Sequence, residues 1–137
     1  MQGAVTENAE APGRDKAKLP TRSKYRNTIV ELDGIKWKSE KQARRYQELK
    51  MLKKAGKLSN LRWEVTHQLI VNGIGITSYR VDFEYLDDDG LKVMEDVKPT
   101  FKTENSEKAY KQTGAYKMFS IKKRLMAAIY GIDVIEV

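Results

Sequence analysis

The sequence predicts one α+β domain of the α/β type, a mixed β-sheet carrying flanking helices. Two observations lead there. Apolar and polar residues alternate at 61–71, 74–86 and 91–98, the period of half-buried strands. Helical spacing of apolar residues appears on either side, at 39–55 and 116–130. A chain of 137 residues fits one such layered unit, because two halves would each bury too little apolar surface.

Residues 1–23 are rich in Ala, Glu, Lys, Pro and Gly and read as a flexible basic and polar tail, with the domain at 24–137. Thr28–Leu32 and Ile35–Trp37 flank Asp33-Gly34, a tight-turn signal, and form a short hairpin. Ser39 and Gln42 make a Ser-x-x-Gln capping box that opens a helix to about Ala55. Ala43, Tyr46, Leu49 and Leu52 follow its period, and Gly56 stops it. A three-stranded meander comes next. Leu61, Trp63 and Val65 alternate with Arg62, Glu64 and Thr66 in a strand running to Val71. Asn72-Gly73 turns the chain into Ile74–Leu86, with a bulge expected near Gly75. Asp87–Gly90 turns it again into Leu91–Lys98, and Pro99 ends the third strand. Thr100–Gln112 reads as a mobile polar loop with some helical character, interrupted at Gly114. Tyr116–Tyr130 is a helix with Met118, Ile121, Leu125, Ala128 and Ile129 as its apolar stripe. Gly131 caps it, and Ile132–Val137 is the last strand.

Composition narrows the function. There is no Cys and one His, which excludes disulfides, thiolate chemistry and a multi-His metal site within one chain. No apolar run approaches the roughly 18–20 residues of a membrane span, and no signal peptide opens the chain, so a cytoplasmic protein is expected. The net charge of +7 suits a polyanion, nucleic acid first. That charge is unevenly spread. Residues 1–35 carry +1, 36–62 carry +8, 63–100 carry −5, 101–124 carry +5 and 125–137 carry −2. Basic blocks flanking an acidic centre suit a site where cations hold phosphates and carboxylates hold a divalent metal. Asp87-Asp88-Asp89 supplies three of the central acids and reads as a solvated turn.

The third strand reads Val93-Met94-Glu95-Asp96-Val97-Lys98. Side chains alternate faces along a strand, so Asp96 and Lys98 point the same way. An odd number of loop residues across Asp87–Gly90 sets Asp82 opposite Asp96; an even number sets it opposite Glu95. Lys98 favours the first, because only Asp96 shares its face. Val81, Phe83, Val93 and Val97 then form one core face. Two hard carboxylates and a nearby backbone carbonyl suit Mg²⁺ or Mn²⁺, and a neighbouring ammonium can orient water and stabilise charge on a phosphate. The competing reading is a cross-strand ion pair of Asp82 or Asp96 with Lys98 or Arg80.

Asp82, twelve intervening residues and then Glu95-Asp96-Val97-Lys98, set between two helices, resembles the PD-(D/E)XK nuclease superfamily. The stretches YRVDFEY, EDVKPT and IKKRLMAAIYGIDVIEV, with the segment from Lys24 to Leu61, are similar to its phage-associated branch of endonucleases, some of them Holliday-junction resolvase-like. The resemblance covers residues 24–137 and implies an αβββαβ restriction-endonuclease-like core. It implies metal ligands at Asp82, Asp96 and the Val97 carbonyl, a catalytic Lys98, and Mg²⁺ (or Mn²⁺) as cofactor. It also implies a DNA substrate, branched DNA included, in phage recombination, replication or processing within the host cytoplasm. Cutting a four-way junction takes two incisions and would call for a homodimer. Lys122 matches a basic position near substrate phosphate, while Lys123 and Arg124 read as a solvated helix face. Arg44 and Arg45 on the first helix, with Tyr25 and Arg26, read as DNA contacts. His67 reads as a half-buried strand residue rather than a general base, and Trp37, Tyr46 and Trp63 as core.

One position departs from the pattern. The superfamily's helix carries Ser-x-x-Glu, whereas this chain has Ser39-Glu40-Lys41-Gln42. Gln42 offers a neutral oxygen where a carboxylate would complete the site. Either two carboxylates and Gln42 as accessory residue suffice, or the chain is a catalytically silent nucleic-acid binder on the same fold. A small basic adaptor protein would leave the Asp82–Asp96–Lys98 alignment a coincidence.

Overall fold

The computed structural model describes residues 28–137. The tail expected at 1–23, and Tyr25 and Arg26, lie outside these residues. The elements run β1 (Val30–Leu32), β2 (Ile35–Trp37), α1 (Glu40–Lys54), β3 (Leu58–Val71), β4 (Ile74–Asp87), β5 (Lys92–Asp96), α2 (Glu104–Lys111), α3 (Gly114–Tyr130) and β6 (Ile135–Glu136). This is the mixed α+β architecture that the alternation and helical spacing predict. Among the described residues, no helix is long and apolar enough to cross a membrane.

The chain divides into two compact units, one ending at Ala43 and one spanning Arg44–Val137. The described part of the first holds the β1–β2 hairpin, paired Val30 to Trp37 through Leu32 to Ile35, and the start of α1. The predicted capping box is there in a shifted form. The Ser39 hydroxyl accepts from the Gln42 N–H at 3.1 Å, and Gln42 Oε1 accepts from the Lys38 N–H, one residue earlier than the usual box.

The second unit contains a four-stranded sheet in the order β3-β4-β5-β6. β3–β4 and β4–β5 are antiparallel, and β6 lies parallel to β5. Asn72 and Gly73 both take positive φ, as the tight β3–β4 turn requires. A register shift falls where β4 reaches Gly75, as expected. A second, unforeseen shift lies between Ser59 and Arg62, where Asn60 adopts φ +55°.

Each face of the sheet carries a helix. Leu69, Tyr79, Val81 and Met94 pack with Phe119 and Met126 of α3 and with Val134. On the opposite face, Tyr46 of α1 meets Trp63 edge to face at 5.3 Å. Fully burying a side chain the size of Met126 or Phe83 contributes roughly 1.5–3 kcal/mol, so these two faces hold the sheet in place.

Three expectations need correction. Met118 and Ile121 of the predicted α3 stripe are exposed, and the buried positions are Phe119 and Met126, with Tyr116, Leu125 and Ile129 beside them. The helix has two apolar arcs, and the one with the aromatic rings takes the sheet: Tyr116 stacks near Phe119, and Phe119 near Tyr79. Thr100–Gln112 has the helical character expected of it, but as a defined helix over Glu104–Lys111. Thr103 caps α2 by accepting from the Ser106 N–H, which makes an eight-residue helix with no buried side chain. Gly114, expected to interrupt that segment, is the first residue of α3, behind the Thr113 cap.

The third correction bears on the site. Val81 does not share a face with Phe83. Val81 packs with Met94 against α3, whereas Phe83 pairs with Glu95, whose carboxylate bonds Arg45 of α1. In β3 the same reversal separates Trp63, on the α1 face, from Val65, beside the α3 cluster. Between them Glu64 has φ +52°, a left-handed residue that breaks strand alternation. Trp63 pairs with Phe83 and Val65 with Val81, so Glu64 falls at the level of Asp82, where the ladder has no pair.

Gly131 ends α3 in the left-handed conformation, φ +70°, with its N–H on the Ala127 carbonyl. No atom would meet a Cβ added there, so Gly131→Ala tests backbone conformation alone. It is expected to destabilise by about 1–2 kcal/mol. A denaturant midpoint equal to wild type would contradict that.

Candidate metal and phosphodiester site

β4 and β5 part company at Asp82. Their ladder runs from Leu86–Lys92 to Phe83–Glu95 and stops. One step further, Asp82 Oδ2 accepts the Val97 N–H at 2.7 Å, so a side-chain carboxylate replaces the next ladder acceptor. The break of alternation opposite Glu64 makes this possible. Asp82 no longer stands out from a sheet face but turns toward the neighbouring strand. β6 holds the other edge of the same segment. The Lys98 N–H donates to the Val137 carbonyl and the Val137 N–H to the Asp96 carbonyl, both at 2.9 Å. In extended chain, successive residues direct their backbone groups to opposite sides. The Val97 carbonyl therefore points away from β6, toward Asp82.

Asp96 and Lys98 meet as their shared parity requires. Lys98 Nζ lies 2.9 Å from Asp96 Oδ1. The other oxygen, Asp96 Oδ2, accepts from the Tyr79 hydroxyl at 2.6 Å. The Lys98 ammonium also sits 3.2 Å from the centroid of the Phe119 ring, a cation–π contact that fixes the far side of its head. Lys98 is 16 % exposed at its side chain, so the pair is sheltered but reachable. Burial first, and then the Asp96 carboxylate, push the Tyr79 phenol far above its ordinary pKa, which keeps it a donor. Asp96 faces Glu136 across the parallel β5–β6 pair. Glu136 accepts from Lys123 at 2.8 Å and from the Tyr116 hydroxyl at 3.3 Å. Burial would raise its pKa, but the Lys123 hydrogen bond and charge outweigh that and hold it below the usual range.

The other candidates fall in different places. Gln42 is buried, with its Oε1 on the Lys38 N–H in the helix cap. Arg45, expected as a DNA contact, is engaged within the chain by Glu95 and Glu48. Its Nε and Nη2 donate to both oxygens of Glu95, at 2.7 and 2.6 Å, and the Tyr85 hydroxyl donates to the same carboxylate. Burial, then the bond to Glu95, raise the Tyr85 pKa to about 12. Glu95 thus serves the α1 face and leaves the other face to Asp96. Arg44 is exposed on α1, and Lys122 is half-buried with no ion pair to a described residue. Lys123, expected on a solvated face, is instead the partner of Glu136. His67 is half-buried as read, with its Nε2 2.7 Å from Glu84 Oε1. The carboxylates of Asp87, Asp88 and Asp89 lie within 4.8 Å of one another at an open turn. There Asp87 Oδ1 accepts the N–H groups of Asp89 and Leu91, the hydrogen bonding of a turn.

Tyr79, Glu136 and Glu84 were not found from sequence. Each has a partner 13 or more residues away in the chain, and no local spacing marks such contacts.

The donor set suits a hard cation. Asp82 reaches the backbone of Val97, the residue next to Asp96, so two hard carboxylates and a backbone carbonyl belong to one short segment where the strands separate. Among comparisons with known proteins, the family described as "Protein of unknown function (DUF1064)" matches residues 22–128. No curated protein and no solved structure matches the chain.

Proposed function

The chain belongs to the DUF1064 family, and we propose that it is a divalent-metal-dependent endodeoxyribonuclease. One observation carries this reading: Asp82 bonds the Val97 N–H, and Val97 lies between Asp96 and Lys98, which pair with each other where β4 and β5 separate. A carboxylate–ammonium group of that kind, between basic segments, fits phosphodiester hydrolysis better than it fits a plain cross-strand ion pair. Asp82, Asp96 and the Val97 carbonyl would hold Mg²⁺ or Mn²⁺. A metal bound there would supply an activated water and neutralise charge on the phosphate. Tyr79 keeps one Asp96 oxygen engaged and so fixes the direction of the other. Lys98, steadied by Phe119, is placed to donate to a phosphate oxygen or to orient the attacking water. The resemblance in the motifs extends the proposal to branched DNA, to phage recombination or replication in the host cytoplasm, and to a homodimer for four-way junctions.

Gln42 favours a second reading, a silent nucleic-acid binder, because its oxygen is committed to the helix cap. One experiment decides between them. Labelled four-way junction, fork, single-stranded and duplex DNA are incubated with the protein and Mg²⁺, Mn²⁺ or EDTA. Cutting that requires metal and is lost in Asp82→Asn is expected. Binding that weakens with salt, with no cutting of any substrate, would establish the silent binder instead.

A further inference from the structure

A cleft of about 570 Å³ opens beside β3 and β4, lined by Lys53, Asn60, Arg62, Glu84, Leu86 and Lys92 among others. It shares no residue with the Asp82–Asp96–Lys98 site. Three of its residues are cations and one is a carboxylate, so its walls carry a net charge of +2. Lys53 and Arg62 come from the strongly basic block at 36–62, and Lys92 is one of only three cations in the acidic block at 63–100.

The carboxylate is the informative group. Glu84 is 1 % exposed, yet it lies on a strand where an apolar residue would pack. Its Oε2 receives Arg62 Nη1 at 3.1 Å and Lys92 Nζ at 3.3 Å, and its Oε1 contacts His67. Burial alone would raise its pKa, but His67 and then Lys92 outweigh that and hold it below the usual range. A buried ion pair is weak evidence for stability, since desolvation offsets most of the attraction. What Glu84 achieves is placement. It pins two long side chains from beneath, while Arg62 and Lys92 stay 60 % and 41 % exposed. No other described residue bonds either head. Each retains donors directed outward, and much of the rotamer entropy that binding would cost is already lost. The bulge at Asn60 takes Asn60 and Leu61 out of the ladder with β4 and opens the backbone beside these cations.

We propose that this cleft is a second phosphate-binding site, which grips the nucleic-acid strand a few nucleotides from the point of cutting. It rests on the reading of the chain as a DNA-acting protein. Glu84 stands two residues from Asp82 on β4, and Leu86, the partner of Lys92, stands four. At about 3.4 Å per residue that is about 7 to 14 Å. A strand advancing about 3.4 Å per nucleotide covers that distance in two to four nucleotides. The guanidinium fork of Arg62 suits phosphate oxygens, and repeated phosphates suit a row of fixed cations.

The test measures binding of fluorescent single-stranded and duplex oligonucleotides to the full chain in EDTA, over a salt series. Lys53→Gln combined with Arg62→Gln leaves Glu84 paired with Lys92 and His67, so the fold is retained; thermal melting checks this. The slope of log affinity against log salt is expected to fall by about 1.4 on the single strand and about 1.8 on the duplex. Lys92→Gln, which leaves Arg62 and His67 on Glu84, is expected to lower it by about half as much. Lys108→Gln, on the exposed face of α2, serves as the control and should leave the slope unchanged. A wild-type slope in the folded double variant would overturn the proposal, as would an equal fall in the Lys108 control. If wild type cuts DNA with metal while the double variant binds as wild type does, the cleft proposal fails alone. If the slope falls as expected but no DNA is ever cut, the cleft stands and the nuclease reading fails.

Discussion

Arg45→Ala is expected to destabilise the protein by about 3–5 kcal/mol, the usual cost of leaving a buried charge without its partner. Glu95 is 2 % exposed, and both its oxygens are held by the Arg45 guanidinium. Removing the guanidinium leaves that carboxylate with the Tyr85 hydroxyl as its remaining donor among the described residues. The attraction is strong enough to push Arg45 well above its ordinary pKa, with the Glu95 hydrogen bond as the main cause. Lysine is not equivalent, because an ammonium cannot make the two parallel bonds of the fork. Pairing Arg45→Met with Glu95→Gln should recover much of the loss, since no unpaired charge then remains buried. Urea denaturation of the single and double variants measures this directly. A loss below about 1 kcal/mol for Arg45→Ala would mean the pair is solvated like an ordinary surface bridge. The result also separates two roles for one residue. As a DNA contact, Arg45 would affect the salt dependence of binding and leave stability alone. Its geometry predicts the reverse.

Lys98→Ala is expected to lower the rate of metal-dependent cleavage by about 10²–10⁴, the range for loss of a positioned proton-transfer or charge-stabilising group. Lys98 is the cation bonded to Asp96, and its main chain is fixed by β6 through Val137. Its side chain is backed by an aromatic ring, so its position differs from that of a lysine free to sweep solvent. Single-turnover cleavage at saturating protein isolates the chemical step from binding. DNA affinity in EDTA should change little by comparison, because one cation accounts for one phosphate contact at most. Equal losses in affinity and rate would make Lys98 a binding residue. Unchanged cleavage would remove it from the site altogether.

Much of this fold was legible locally. Asn72-Gly73 dictates a turn because both residues tolerate positive φ, which that hairpin demands. Ser39 and Gln42 announce a helix start because their side chains can take orphan backbone groups. The pairing of Asp82 toward Asp96 followed from parity along two strands, and the register Phe83–Glu95 has that parity. Those features depend on neighbours a few residues apart, and a chain's own periodicity records them.

What the sequence could not decide was which of two compatible arrangements the packed structure selects. Residues 116–130 carry two apolar arcs, and only contact with Tyr79 of the sheet determines that Phe119 and Met126 face inward while Met118 and Ile121 do not. Arg45 could reach solvent or Glu95, 50 residues away, and a buried carboxylate with no other cation among the described residues settles that choice. Strict alternation would have kept Val81 and Phe83 on one face. The left-handed Glu64 across the ladder breaks it, and that break turns Asp82 to the Val97 N–H. By itself the sequence determined the order of elements, the parity of the strands and the residue types available for chemistry. Tertiary structure decided the phase of α3, the partner of each buried charge and the direction of Asp82. Those outcomes depend on side chains brought together by folding, whose free energies do not appear in any local stretch of the chain.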